Sequence, residues 1–79
     1  MNIPKGIPAR DIIRALEADG FVHVRTTGSH RRFKHLDGRA ATVSCHKESE
    51  TIPIGTLRSI ILLQARWTED DLRRLQLIK

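Results

Sequence analysis

The spacing of apolar residues changes twice along this chain, and the change limits the folds that it can adopt. From residue 9 to residue 16 apolar side chains recur at helical spacing, and Gly20 then offers a left-handed helix end, so we predict a first helix over residues 8–19. Three short segments of β-type composition follow, and helical spacing returns from Leu57 to Gln64. The pattern predicts the element order α-β-β-β-α.

Glycine-containing turns separate the three β segments. We predict strands over residues 21–26, 29–36 and 39–45, joined by Thr27-Gly28-Ser29 and by Asp37-Gly38. The second pair indicates a two-residue hairpin turn of type I′, in which both central residues need a positive φ. The expected fold is of the α+β class, with a three-stranded antiparallel sheet that helices cover on one face. Double-stranded-RNA-binding domains share this element order, which by itself says little about activity.

Two threonines mark the beginnings of the remaining helices. Thr56 is predicted to cap a second helix that ends near Arg66, and Thr68 to cap a short last helix, because a threonine hydroxyl accepts a backbone N–H of the first turn. No linker or repeat interrupts the chain, so we expect one domain over residues 1–79. A chain of this length buries only about 60% of the surface that its unfolded form exposes, and a deep enzyme pocket is not expected.

Basic residues outnumber acidic ones. Fourteen Lys and Arg against nine Asp and Glu give a net charge of +5 and an isoelectric point near 10.4. This excess favours a polyanionic partner, either nucleic acid or an acidic protein, although a merely solvated basic surface has the same composition. Cys45 is the single cysteine, which excludes an intrachain disulfide, and no apolar run approaches the roughly 18 residues of a membrane span. We expect a cytoplasmic protein.

The second β segment is the most highly charged, and strand alternation sorts its side chains between two faces. If Phe33 faces the helices, its side of the strand also holds Ser29, Arg31 and His35. The open face then holds His30, Arg32, Lys34 and Leu36. In the first β segment the same alternation places Val22 and Val24 on one face and Phe21, His23 and Arg25 on the other.

A histidine among cations suits metal-independent cleavage of RNA. Imidazole exchanges protons near neutral pH, so His30 could assist attack by the 2′-hydroxyl or protonate the leaving oxygen. Arg32 and Lys34, with Arg31 as a further candidate, could position phosphates and stabilise the charge of the transition state. Gly28 would let the backbone come close to the substrate. A solvated histidine on a charged strand is the alternative for these residues.

The other histidines and the cysteine do not form a recognisable metal site. His30 and His35 project to opposite faces of a strand, Cys45 and His46 alternate likewise, and no Cys-x-x-Cys or His-Glu-x-x-His spacing occurs. We therefore expect no metal and no other cofactor. His46 ends the third strand, where it is either a helper at the His30 site or a loop histidine without a role.

Three motifs extend over nearly the whole chain. They are Ala18-Asp19-Gly20-Phe21, the run from Arg25 through Gly28-Ser29-His30 to Phe33-Lys34-His35, and Ile54-Gly55-Thr56-Leu57-Arg58-Ser59-Ile60. Together they resemble the HicA or YcfA-like toxins of type II toxin-antitoxin systems. Two positions depart from that pattern. Thr27 stands where many relatives have Lys or Gln, and Arg66-Trp67 stands where a glycine often follows the second helix.

The resemblance implies a double-stranded-RNA-binding-like fold, ribosome-independent cleavage of mRNA, and neutralisation by a HicB-type antitoxin that covers the site with an acidic domain. The family's catalytic histidine follows a Gly-Ser pair, and the matching residue is His30. We expect the RNA contacts around it to come from Gly28, Ser29, Arg31, Arg32 and Lys34. Two other functions stay open on the residues alone: a double-stranded-RNA-binding module that cuts nothing, and an interaction domain for an acidic protein.

Overall fold

Residues 2–79, which the computed structural model describes, form one sheet and three helical segments. In chain order these are helix α1 (Ala9–Ala18), strands β1 (Val22–Thr27), β2 (His30–Lys34) and β3 (Ala40–Ser44), helix α2 (Ile54–Arg58, continued by a π-helical turn over Ser59–Gln64) and helix α3 (Glu69–Arg74). The predicted α+β class and the α-β-β-β-α order are confirmed. None of the helices described for residues 2–79 combines the length and apolar character that crossing a bilayer requires.

Helices cover one face of the sheet. The sheet is antiparallel with strand order β1-β2-β3, and Phe33, Ala41 and Val43 are buried on the covered face. The helical segments complete the core with six fully buried side chains, those of Ile12, Leu16, Leu57, Ile60, Ile61 and Leu72. Because the large apolar side chains of β2 and β3 are buried on this face, the residues of these two strands on the opposite face are polar apart from Ala40.

Helix α1 ends in a Schellman motif at Gly20. The Phe21 N–H donates to the Leu16 carbonyl (2.9 Å), and the Gly20 N–H donates to the Glu17 carbonyl (3.1 Å). Gly20 has a φ of +101°, and a Cβ at this position would lie 2.9 Å from Nε2 of His35. Glycine is therefore required both for the left-handed backbone and for the space that the His35 ring occupies.

The hairpin between β2 and β3 differs from the type I′ turn expected at Asp37-Gly38. The His35 N–H donates to the Arg39 carbonyl (2.9 Å), and the Gly38 N–H donates to the His35 carbonyl (3.0 Å). Only Gly38 has a positive φ (+98°), so the turn is three residues long and ends in a left-handed glycine. The Asp37 carboxylate accepts the Arg39 N–H (3.0 Å), a local bond that the longer turn allows.

Helix α2 begins earlier than expected, and Thr56 does not cap it. Pro53 occupies the N-cap position with φ −57° and ψ 144°, and the helix starts directly after it, because proline cannot donate a backbone hydrogen bond and its φ suits a helix start. Over Ser59–Gln64 the helix widens into the π-helical turn. The side chain of Gln64, its last residue, accepts the Thr42 N–H (2.8 Å). It thereby pairs a backbone donor at the outer edge of β3.

The turn after α2 contains a left-handed residue, and the predicted cap of α3 at Thr68 is confirmed. Arg66 has a φ of +55°, the left-handed conformation that glycine adopts more easily. Thr68 caps α3: its hydroxyl accepts the Asp71 N–H (3.2 Å), while the Asp71 carboxylate accepts the Thr68 N–H (2.8 Å). This reciprocal pair is a capping box.

The carboxylate of Asp19 joins four separate parts of the chain. It accepts hydrogen bonds from Nε1 of Trp67 (2.8 Å) and from Nη2 of Arg74 (2.7 Å), and Nη1 of Arg39 lies 3.1 Å away. The same Arg39 nitrogen donates to the Ala65 carbonyl (2.6 Å). The side chain of Asp19 is only 8% exposed. It therefore connects the end of α1 with the hairpin before β3, the loop after α2 and the end of α3.

The surroundings of Asp19 favour its ionised form. Burial raises the pKa of the carboxyl group, but the hydrogen bonds from Trp67 and Arg74 and the charges of Arg39 and Arg74 outweigh burial and hold the pKa below the ordinary value of 3.8. Because the folded-state pKa is the lower one, Asp19 stabilises the fold fully above its unfolded-state pKa. That contribution is lost as the pH falls through the folded-state pKa.

We expect Asp19→Asn to lower the free energy of unfolding by about 2 to 3 kcal/mol at neutral pH, because two arginines lose a charged partner. Urea unfolding followed by circular dichroism measures the change, and the gap between native and variant protein should narrow below about pH 4. Asp70→Asn is the matched control, since the Asp70 side chain is 95% exposed and should matter by less than about 0.5 kcal/mol. Equal losses in the two variants would contradict the role of Asp19.

We expect Arg66→Gly to raise the free energy of unfolding by about 0.5 to 1 kcal/mol. A left-handed backbone costs a non-glycine residue about 1 to 2 kcal/mol, and the greater freedom of glycine in the unfolded chain cancels part of the gain. Arg58→Gly, inside α2, is the control and should lower stability by about 1 kcal/mol. Thermal unfolding of both variants distinguishes the two signs, and a loss of stability in Arg66→Gly would contradict the prediction.

Candidate functional site

A tight turn at Gly28-Ser29 positions His30. Thr27 pairs with His30 across β1 and β2, which leaves two residues in the turn. Gly28 has a φ of +58° whereas Ser29 does not enter the positive region, the combination that a type II′ turn shows. The Ser29 carbonyl accepts the Cys45 N–H (2.9 Å), which fastens the start of β2 to the end of β3. His30 thus begins a strand that is held on both sides.

A β-bulge in β1 decides the face on which Arg25 lies. His23 pairs with Phe33 and Arg25 pairs with Arg32, so Val24 is an extra residue without a partner. Directly paired residues of antiparallel strands project from the same face, and Arg25 therefore lies with Arg32 on the open face. The expectation that Arg25 shares a face with His23 is wrong, because regular alternation does not continue through the bulge.

His30 lies in a shallow depression on the open face. This depression has a volume of about 280 Å³ and is lined by Arg25, Thr27, His30, Arg32 and Thr42. A second depression of about 460 Å³ shares both arginines and is also lined by Val24 and Lys34. The exposed positions of His30, Arg32 and Lys34 agree with the predicted alternation of β2. Both depressions are open, as expected for a surface that contacts a polymer.

The positive charge of the open face has no counter-charge nearby. The three strands contain Arg25, Arg31, Arg32 and Lys34 and no Asp or Glu. Arg31 projects from the helix side of β2 and pairs with Glu48 (3.5 Å). The other three cations lie on the open face and form no ion pair within residues 2–79. Such a surface attracts anions.

Two of the remaining histidines belong to the covered side of the sheet. Nε2 of His35 lies 2.8 Å from the Asp19 carbonyl, and the His35 ring meets Phe21 edge-on at a centroid distance of 5.1 Å. His23 is hydrogen-bonded to the Thr26 hydroxyl (2.8 Å) on the helix side of β1. Both histidines are therefore separated from His30 by the thickness of the sheet.

Gly28 and His46 are exposed outside the strands. No atom lies within 4 Å of a Cβ placed on Gly28, so the backbone there is accessible. The His46 backbone N–H donates to the Glu50 carboxylate (3.2 Å), and no hydrogen bond within residues 2–79 joins its ring to His30. Cys45 is a buried free thiol. Across the same residues, no group of three or more His, Cys, Asp and Glu side chains is arranged to hold a metal ion.

The region from α1 to Trp67 corresponds to a known protein family. A family model described as the HicA toxin of bacterial toxin-antitoxin systems matches residues 9–67. The chain belongs to the HicA toxin family. The matched region contains all three motifs on which the resemblance was based, and the whole sheet with His30. A comparison with curated proteins found no match. Membership makes this HicA protein the toxin of a toxin-antitoxin pair, with an antitoxin as its partner.

Arg25 and Thr42 line the depression of the HicA toxin, yet alternation did not identify them. The turn between β1 and β2 does predict the face on which Arg25 lies. A two-residue turn at Gly28-Ser29 pairs Thr27 with His30, and counting back from that pair places Arg25 opposite Arg32. Counting forward from Phe21 reaches the opposite face, because it crosses the bulge. No feature of the sequence identifies Thr42, a β3 residue, as part of the site except its pairing with Arg32 of β2.

We expect Arg32→Ala to lower the salt concentration at which the HicA toxin elutes from heparin by more than Arg31→Ala does. Both variants lose one positive charge from the same strand, but the Arg31 charge is balanced by Glu48 and faces the helices. The salt dependence of polyanion binding follows the number of cations that contact the polymer. Equal shifts in the two variants would contradict an anion-binding surface limited to the open face.

Proposed function

We propose that this HicA toxin is a metal-independent endoribonuclease, an mRNA interferase, with His30 as its catalytic residue. The supporting observation is the exposed position of His30 in a depression that it shares with Arg25 and Arg32. Membership in a toxin family supports the proposal further, because cleavage of mRNA is a direct way to stop growth. The α-β-β-β-α order adds only an analogy with RNA-binding domains.

In the proposed reaction the 2′-hydroxyl of a ribose attacks the adjacent phosphorus. A bond forms between O2′ and phosphorus, and the bond between phosphorus and the 5′ oxygen of the next nucleotide breaks. The products are a 2′,3′-cyclic phosphate and a 5′-hydroxyl end. A proton must leave O2′ and a proton must reach the departing oxygen; His30 would accept the first in its neutral form or donate the second in its protonated form.

The surrounding groups supply charge and access. Arg32 and Lys34 would hold backbone phosphates and stabilise the extra negative charge that develops at phosphorus. Gly28, which is exposed, and Ser29, which is half-buried, would bring backbone groups to the RNA next to the histidine. Arg31, which is ion-paired on the other side of β2, contributes less to this arrangement, so the proposal depends on Arg32 and Lys34 for its charge.

We also propose that the antitoxin is a HicB-type protein that covers the open face with acidic groups. The net charge of +5 and the unpaired cations around His30 favour such a partner. A toxin of this kind would act on mRNA in the cytoplasm as a single domain of residues 1–79.

We expect His30→Ala to lower the rate of mRNA cleavage by about 100-fold or more, because a general acid or base contributes about that much. Growth inhibition on expression should disappear at the same time. The circular dichroism spectrum should be unchanged, since the His30 side chain is exposed. Cleavage is measured with a defined RNA, and retained toxicity of the variant would contradict the assignment.

Two matched variants and one addition separate catalysis from other effects. His23→Ala removes an exposed histidine from the opposite face and should cleave normally, while His46→Ala tests the candidate helper and should change the rate by far less than His30→Ala. A chelator should have no effect. If the native protein instead retains intact RNA and cleaves none, it is a binding module and the nuclease proposal fails.

A further inference from the structure

We propose that Arg25 and Arg32 together bind one phosphate group of the RNA backbone beside His30, which makes Arg25 a substrate-binding residue. The inference rests on the proposed function and adds to it a residue that regular strand alternation places on the wrong face. Its starting point is the direct pairing of Arg25 with Arg32 across β1 and β2.

Two arginines directly opposite each other repel. The Cβ atoms of such a pair are about 4.5 to 5.5 Å apart, and like charges at this distance lower stability. Neither Arg25 nor Arg32 forms an ion pair within residues 2–79, and the strands contain no acidic residue. By contrast, Arg39 and Arg74 share the carboxylate of Asp19. The arginine pair thus has no carboxylate partner within residues 2–79, and a bound anion would reduce the repulsion.

The depression around the pair has the polar groups that a phosphodiester needs. Arg25, brought to the open face by the bulge at Val24, lines it together with the hydroxyl side chains of Thr27 and Thr42. A guanidinium group can donate two parallel N–H hydrogen bonds to phosphate oxygens. Two guanidinium groups can therefore share the two non-bridging oxygens of one phosphodiester. The hydroxyl groups can donate further hydrogen bonds.

The arrangement along β2 favours a linear polyanion over an isolated anion. Each second residue of a strand is about 6.6 Å further along the same face, so His30, Arg32 and Lys34 follow one another at that interval. The second depression shares Arg25 and Arg32 and is also lined by Lys34. A nucleic-acid strand lying along β2 would therefore meet cations repeatedly, with the histidine at one end of the series.

Binding to an RNA that cannot be cleaved tests the inference apart from catalysis. The probe is a single-stranded oligonucleotide with 2′-O-methyl ribose throughout, which lacks the attacking hydroxyl. Arg25→Gln should weaken binding about fivefold near 0.1 M salt and lower the salt slope by about 0.7, the change for one phosphate contact with a single strand. Arg25→Lys should keep most of the slope. Arg58→Gln, which removes an exposed α2 cation without an ion pair in residues 2–79, should change neither quantity.

Replacing Arg25 should weaken RNA binding but increase the stability of the free protein. Arg25→Gln should raise the melting temperature at low salt by about 1 to 4 °C, because it removes a repulsion, and the gain should vanish in about 1 M NaCl, where charges are screened. A residue needed only for the fold would lower the melting temperature when replaced. Weaker RNA binding together with a lower melting temperature at all salt concentrations would therefore overturn the inference.

The remaining outcomes separate this inference from the nuclease proposal. If Arg25→Gln and Arg58→Gln bind the probe equally well, Arg25 does not bind phosphate, whatever the native protein cleaves. Unchanged RNA binding with weakened binding of the acidic antitoxin would also overturn the inference and assign Arg25 to the partner protein. If the native protein cleaves no RNA while Arg25→Gln still weakens binding, the nuclease proposal fails and Arg25 remains a phosphate-binding residue.

Discussion

The ion network around Asp19 sets the relative positions of the helices and the sheet. A small chain has limited apolar surface to bury, so polar contacts between its elements add to what the core supplies. Here one carboxylate accepts hydrogen bonds from Trp67 and Arg74 and lies within ion-pair distance of Arg39. Because Arg39 also donates to the Ala65 carbonyl, the β2–β3 hairpin is held against the end of the second helical segment. That attachment connects the hairpin to the helical layer, while burial of Phe33 and Val43 determines which face of the sheet the helices cover.

One face of the sheet belongs to the core, and the other carries the proposed site. The covered face holds Phe33 and Val43 in the core, whereas the open face holds a histidine and three cations without counter-charges. Leaving those cations unpaired costs stability, and the well-packed opposite face compensates for it. Placing the histidine on a strand fastened on both sides also limits its motion, which a catalytic group requires.

Much of the site could be predicted, since alternation along a single strand needs only the identity of one buried residue. Once Phe33 faces the core, the exposure of His30, Arg32 and Lys34 follows. The catalytic role proposed for His30 came instead from the resemblance to a toxin family, and the family itself is confirmed. Arg25 could not be placed by alternation, because an extra residue in β1 reverses the count and only the register set by the Gly28-Ser29 turn reveals it.

The sequence by itself determined the order of helices and strands, the glycine that ends α1 and the capping of α3 by Thr68, because each depends on residues a few positions apart. The tertiary structure alone decided that Asp19 meets Trp67 and Arg74, and that α2 widens into a π-helical turn whose Gln64 reaches β3. Those features depend on residues distant in the chain, whose approach follows only from packing of the whole core. Local propensities contain no information about that packing.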